Sequence, residues 1–248
     1  MNVVLLRCFL VVCSCGIVGS VEARQSARVV SQIITTKTLE PLMSVVKKAD
    51  ASTLLVFDIN GVLVQKKHSR GTVVCPRPSE HAHNSTHNNE LIDKLAADHG
   101  FEKAIRSYVE PVFPFLPSLI TEWQQQGMKI VALTNSTADR VGVLSLGRGS
   151  RLAMLRLFGY HFEHSFKEDQ SYVDLASYAS EAHGAFSWGG VLFTCGQAKG
   201  YVLEAFLKYV AFSPSMIVFV DDHLYNIQTV QAFAQRQGIP FHGILLTR

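Results

Sequence analysis

An aspartate closes a short apolar run at Asp58, and a threonine closes another at Thr134. A lysine, Lys199, stands directly before Gly200 at the head of a helical pattern, and two aspartates stand side by side at Asp221 and Asp222. A carboxylate at a strand end can attack phosphorus and form an acyl-phosphate. Carboxylates from two different strand ends can share a hard, oxygen-seeking cation such as Mg²⁺, which offsets phosphate charge. A hydroxyl and an ammonium then suit the remaining phosphoryl oxygens, where transition-state charge collects. Each position alone is weak. An aspartate after a strand is commonly a turn or cap residue, a threonine likewise, and a lysine is usually solvated. The adjacent pair Asp221-Asp222 is less ordinary, because like charges side by side are costly without a cation or donors to offset them.

Such residues need a frame. Short continuous apolar runs occur at 54–57, 129–133, 191–193, 216–220 and 243–246, the signature of strands buried on both faces of a parallel sheet. Helical patterns lie between or before them at 39–48, 117–126, 151–157, 200–210 and 224–237. This alternation predicts an α/β domain, a Rossmann-like three-layer parallel sheet with helices on both faces. Ligands bind beyond the carboxyl ends of the strands in such sheets, where the five residues above fall. Residues 72–112 interrupt the alternation with a polar loop and then a charged helical stretch at 89–109, read as a small helical cap over the sheet edge or as a plain surface excursion.

The order of these pieces resembles the haloacid dehalogenase-like superfamily over residues 52–248. Phe57-Asp58-Ile59-Asn60-Gly61-Val62-Leu63 resembles its first motif, DxDG(T/V); Ile130-Val131-Ala132-Leu133-Thr134 its second; Lys199-Gly200 its third; and Val218-Phe219-Val220-Asp221-Asp222 its acidic fourth. From Gly190 to Asn226 the chain is also similar to an exported bacterial branch of that superfamily. The resemblance implies a HAD-like core, Asp58 as nucleophile, and Mg²⁺ held by Asp58, the Asn60 carbonyl and Asp221 or Asp222. It also implies Thr134 and Lys199 on the phosphoryl group, and a small phosphomonoester as substrate.

Asn60 departs from the pattern, which places a second, proton-transferring aspartate there. An amide neither donates a proton to a leaving group nor activates water as a carboxylate does, a loss of about 10²–10⁴-fold. Two readings follow. One is an exported Mg²⁺-dependent phosphatase, slow or recruiting another group such as His68. The other is a phosphate- or metal-binding or interaction protein on the same fold with hydrolysis lost. A dehalogenase or phosphonate-cleaving relative is a third reading with no further feature behind it.

The bulk numbers agree with a globular chain. Of 248 residues, 48% are apolar and 17% charged, and the net charge of +3 is scattered, so no nucleic-acid-binding arm is expected. Residues 1–23 read as a signal peptide: Arg7, an apolar stretch at 8–18, and Val21-Glu22-Ala23 as a cleavage pattern. A periplasmic or secreted location follows, with no stable membrane span after cleavage. An uncleaved anchor and lipidation at Cys15 are the other ways to read that segment. Residues 24–50 form a lead-in with one helix, and 51–248 the main domain. Outside the leader stand Cys75 and Cys195, read as two small buried residues or, in an oxidising compartment, one bridge. His81, His83 and His87 lie in a polar loop and read as solvated rather than as metal ligands; Asn84-Ser85-Thr86 matches a glycosylation acceptor; Gly149 reads as a helix-start turn; Trp123 and Trp188 read as packing residues.

Overall fold

The computed structural model describes residues 30–67, 89–136, 140–141, 144–145, 149–169 and 171–247. The chain runs β1 (Ser31–Thr36), α1 (Glu40–Val46), β2 (Thr53–Phe57), β3 (Val64–Lys66), α2 (Asn89–Ala96), α3 (His99–Tyr108), β4 (Val109–Pro111), α4 (Leu116–Gln125) and β5 (Lys129–Thr134). It continues through β6 (Arg140–Val141), β7 (Leu144–Ser145), α5 (Ser150–Leu157), β8 (Val173–Asp174), β9 (Phe186–Trp188), β10 (Val191–Phe193), α6 (Lys199–Tyr209), β11 (Met216–Asp221), α7 (Leu224–Arg236) and β12 (Phe241–Leu246).

Eight strands form the central sheet in the order β1-β12-β11-β2-β5-β10-β9-β8. The pairings from β1 to β10 are all parallel; at the far edge β9 alone runs against the others, so its pairings with β10 and β8 are antiparallel. The five apolar runs read from the sequence are β2, β5, β10, β11 and β12. In β2, Leu54, Leu55, Val56 and Phe57 are all fully buried. Each such side chain is worth roughly 1.5–3 kcal/mol of burial. Leu55 and Phe57 join the core that includes Leu42 of α1, Ile120 of α4 and Leu152 of α5. Leu54 and Val56 join the one formed with α6 and α7. The strands thus face apolar layers on both sides, the expected three-layer arrangement.

Two expectations need correction. The lead-in at 24–50 contains a strand as well as a helix: β1 pairs along its whole length with β12, from Ser31 opposite Phe241 to Thr36 opposite Leu246. The helical stretch at 89–109 is two helices. Asp98 accepts from the Phe101 N–H at 2.7 Å and caps α3, so the chain restarts instead of continuing from α2. A strand that the sequence reading did not include, β9, precedes β10 in a hairpin closed by Gly189 and Gly190, both at positive φ, as two-residue hairpin turns require. The stretch between β3 and β4 leaves and returns through their antiparallel pairing, and α2 and α3 both pack on α5. The polar loop with His81, His83, His87, Asn84 and Cys75 lies outside the described residues, as do residues 1–23 and His68. Trp123 and Trp188 are buried, as expected of packing residues. Among the described residues, no helix is long and apolar enough to cross a membrane.

Candidate active site

The chain leaves β2 towards β5 on one side and returns to β11 on the other, so the strand order reverses at β2. A crevice at the carboxyl end of such a reversal is where open α/β sheets bind ligands. Asp58 is the first residue past β2, and its N–H still bonds the Val220 carbonyl of β11 at 2.9 Å. Asp221 ends β11, and Asp222 follows it. Adjacent parallel strands therefore deliver these carboxylates side by side.

Lys199, the first residue of α6, is buried between them. Its Nζ lies 2.5 Å from Asp58 Oδ1 and 2.7 Å from Asp221 Oδ2. Asp221 is fully buried, and its other oxygen accepts from the His223 N–H at 2.7 Å and from Asn226 Nδ2 at 3.1 Å. That satisfied carboxylate holds Lys199 in place. Gly200 permits the placement, because a Cβ there would meet the Thr229 carbonyl oxygen of α7 at 2.2 Å. The start of α6 is pressed directly onto α7 as a result.

Asp222 is set differently. Its side chain is 31% exposed and rests over Gly61. Its Oδ1 is shielded from solvent and accepts no hydrogen bond among the described residues; the exposed His223 ring stands 3.7 Å from it through Nε2. Ligand oxygens of Asp58, Asp221 and Asp222 lie within 4.8 Å of one another. Three carboxylates around one ammonium leave an excess of negative charge. Burial pushes the Asp58 carboxyl up to about 6; the Lys199 charge opposes that rise, and Asp221 and Asp222 add to it. Asp222 is raised too, by burial first. An oxygen-only donor set, one of whose shielded oxygens accepts no hydrogen bond, is the kind a hard divalent cation takes. The residues present fit such an ion.

Thr134 ends β5, the strand next to β2, and is buried; its Oγ1 accepts from the Ser136 N–H at 3.3 Å. It flanks the carboxylate cluster at the same end of the sheet, without a direct bond to it among the described contacts. Asn60 is exposed, and its Oδ1 accepts from Arg151 Nη1 at 3.1 Å. Arg151 itself is almost wholly buried and also reaches Ser136 Oγ at 2.7 Å through Nη2. The sequence reading assigned Arg151 no role. Its signal was present: an arginine opening the otherwise apolar face Leu152, Ala153, Met154, Leu155 in a helix started by Gly149 at φ 81°.

Two further groups stand apart. His161, Glu163 and His164 come together beyond α5, but Ser165 beside them bonds the Ile130 N–H near the start of β5, so they mark the opposite end of the sheet. Arg156 already pairs Glu163 at 3.2 Å. Cys195 is exposed, which corrects its reading as a buried thiol: it sits in the loop after β10 at φ 48°, not in the apolar core.

The fold and site define an α/β protein with an acidic, lysine-bridged cluster of side chains at the reversal of a mostly parallel sheet. Residues 35–248 match the family described as "Protein of unknown function (DUF2608)", and the chain belongs to that family. A protein of Chlamydia trachomatis serovar D named "Putative outer membrane protein" is 25% identical over 217 residues, covering 87% of this chain and 77% of that protein. No solved structure matches the chain.

Proposed function

We propose that this chain is an exported, Mg²⁺-dependent phosphoryl-transfer enzyme of the HAD-like type, acting on a small phosphorylated substrate through an aspartyl-phosphate at Asp58. The observation that carries this reading is the single ammonium of Lys199 bridging Asp58 and Asp221 at the sheet's reversal point, with Asp222 alongside. Crowded, buried carboxylates with shifted pKa values are a mark of functional sites, and phosphoryl transfer uses carboxylates to hold its metal ion and to position the nucleophile. The motif resemblance supports the same roles. An exported location is supported by the leader-like residues 1–23 and by the name of the chlamydial relative.

In this reading Asp58 attacks phosphorus, its carboxylate held by Lys199. Lys199, relieved of part of its carboxylate pairing when an anion enters, binds a phosphoryl oxygen, and the Thr134 hydroxyl binds a second. Asp58, the Asn60 carbonyl, and Asp221 or Asp222 would hold Mg²⁺, which neutralises charge on the phosphoryl oxygens when bound. The helices α2 and α3 are read as a small cap.

The test is Mg²⁺-dependent turnover of an aryl phosphate and its loss in Asp58→Asn. Full activity in that variant excludes Asp58 as nucleophile. A second reading, a phosphate- or metal-binding protein with hydrolysis lost, is favoured by one observation, the amide at Asn60. It predicts that beryllium fluoride and Mg²⁺ bind at Asp58 while no donor is turned over.

A further inference from the structure

The hydrogen bond from Arg151 to Asn60 says more than that a carboxylate is missing. Arginine has donors and no acceptor, so the amide atom it contacts is Oδ1, and the amide cannot be flipped without losing that bond. Arg151 is itself fixed: it is 1% exposed and its other arm bonds Ser136 Oγ beside the end of β5. The Asn60 amide is therefore oriented, and the atom it keeps for a ligand is Nδ2, a donor, on an exposed residue two positions past Asp58. At the position where the HAD-like pattern has its proton-transferring aspartate, this chain holds a hydrogen-bond donor that cannot release its proton.

We infer, on the phosphoryl-transfer reading above, that Asn60 stabilises a leaving group that departs as an anion, with Arg151 as the residue that positions it. The substrate class is then a phosphoryl group on an already acidic oxygen, that of a carboxylate or of a second phosphate, rather than an alkyl phosphomonoester. The step balances without acid catalysis. Asp58 forms a bond to phosphorus, the bond from phosphorus to the leaving oxygen breaks, and its electron pair stays on that oxygen as a carboxylate or phosphate anion. Water later attacks phosphorus of the aspartyl-phosphate, the bond from phosphorus to Asp58 breaks and Asp58 leaves as carboxylate, and both of the water's protons leave with the inorganic phosphate as dihydrogen phosphate. With no carboxylate at residue 60 to activate that water, the phosphoenzyme accumulates.

The test uses the full chain with Mg²⁺ and four donors: acetyl phosphate, pyrophosphate, para-nitrophenyl phosphate and glycerol phosphate. Phosphoenzyme is followed by acid quench and intact mass. Acetyl phosphate or pyrophosphate should phosphorylate the protein at least about 100-fold faster than glycerol phosphate, the span general acid catalysis normally covers. The faster of the first two identifies the leaving oxygen. Asn60→Asp should raise the glycerol phosphate rate and shorten the life of the phosphoenzyme. Asn60→Ala should slow the anionic leaving groups about 10-fold and steepen the dependence on leaving-group acidity. Arg151→Lys should shift that dependence in the same direction, a readout that a purely structural role would leave unmoved. If Arg151→Lys does not fold, Asn60→Ala, at an exposed residue, carries the test. Equal phosphorylation by glycerol phosphate and acetyl phosphate overturns the inference. Absence of phosphoenzyme with every donor overturns the phosphoryl-transfer reading and the inference with it.

Discussion

The Asp222 carboxylate lies against Gly61 so closely that a Cβ on residue 61 would stand 2.1 Å from Asp222 Oδ2. Gly61 has φ 87°, so a side chain there is strained by the backbone as well as by the clash. The tight turn after Asp58 and the second aspartate after β11 are thus one construction.

Gly61→Ala is expected to destabilise the protein by about 1–3 kcal/mol and to displace Asp222. Chemical denaturation with and without Mg²⁺ checks it. The variant should lose most of the stabilisation that Mg²⁺ gives the wild type, and an unchanged Mg²⁺ response would show that Asp222 does not hold the ion.

Removing the ammonium should do more harm than removing one carboxylate. Lys199→Met leaves Asp58 and Asp221, both buried, facing each other without a cation, a loss of about 3–5 kcal/mol. Asp222→Asn instead relieves like-charge crowding, so the metal-free protein should melt higher than wild type. Thermal melts in EDTA separate the two outcomes.

Asp169 gives a pH dependence unrelated to the carboxylate cluster. It is fully buried, accepts from Ser187 Oγ at 2.6 Å and from the Gly190 N–H at 2.7 Å, and its Oδ1 has no partner among the described residues. Burial pushes its carboxyl up to about 6 from 3.8, against the pull of those two bonds. A raised folded-state value means the folded protein holds the proton more tightly. This contribution is fully present below about pH 4 and lost as pH rises through 6, by about 2–3 kcal/mol. Asp169→Asn should make the fall in stability between pH 4 and 6 shallower than in wild type, leaving the part that Asp58 contributes in the same window, measured by urea denaturation.

Gly200→Ala tests the seating of Lys199. The added Cβ would meet the Thr229 backbone oxygen at 2.2 Å, and a backbone atom cannot step aside as a side chain can. A cost of about 1–3 kcal/mol is expected from overpacking. Phosphoryl transfer should fall further than stability alone explains, because the start of α6 carries Lys199 away from Asp58. Kinetics at a temperature where the variant stays folded make the comparison.

What the sequence determined by itself was the set of central strands and the residues at their ends. Continuous apolar runs declare burial on both faces, and a polar residue just past such a run must sit at the sheet's rim. Asp58, Asp221 and Asp222 were legible for that reason, and Lys199 from its place before Gly200 at the head of a helical pattern; the four do converge. Local signals also marked the hairpin turn at Gly189-Gly190 and the break at Asp98, though neither was read from them. Tertiary structure alone decided the rest. β1 exists as a strand because β12, some 200 residues later, offers it an edge, and nothing in Ser31–Thr36 alone compels that pairing. Arg151 and Asn60 are 91 residues apart, and their bond depends on how α5 packs beside the sheet. A side chain's type is written in the chain. Its partner is set by which distant segments the buried core forces together, and that is where the orientation of Asn60 is decided.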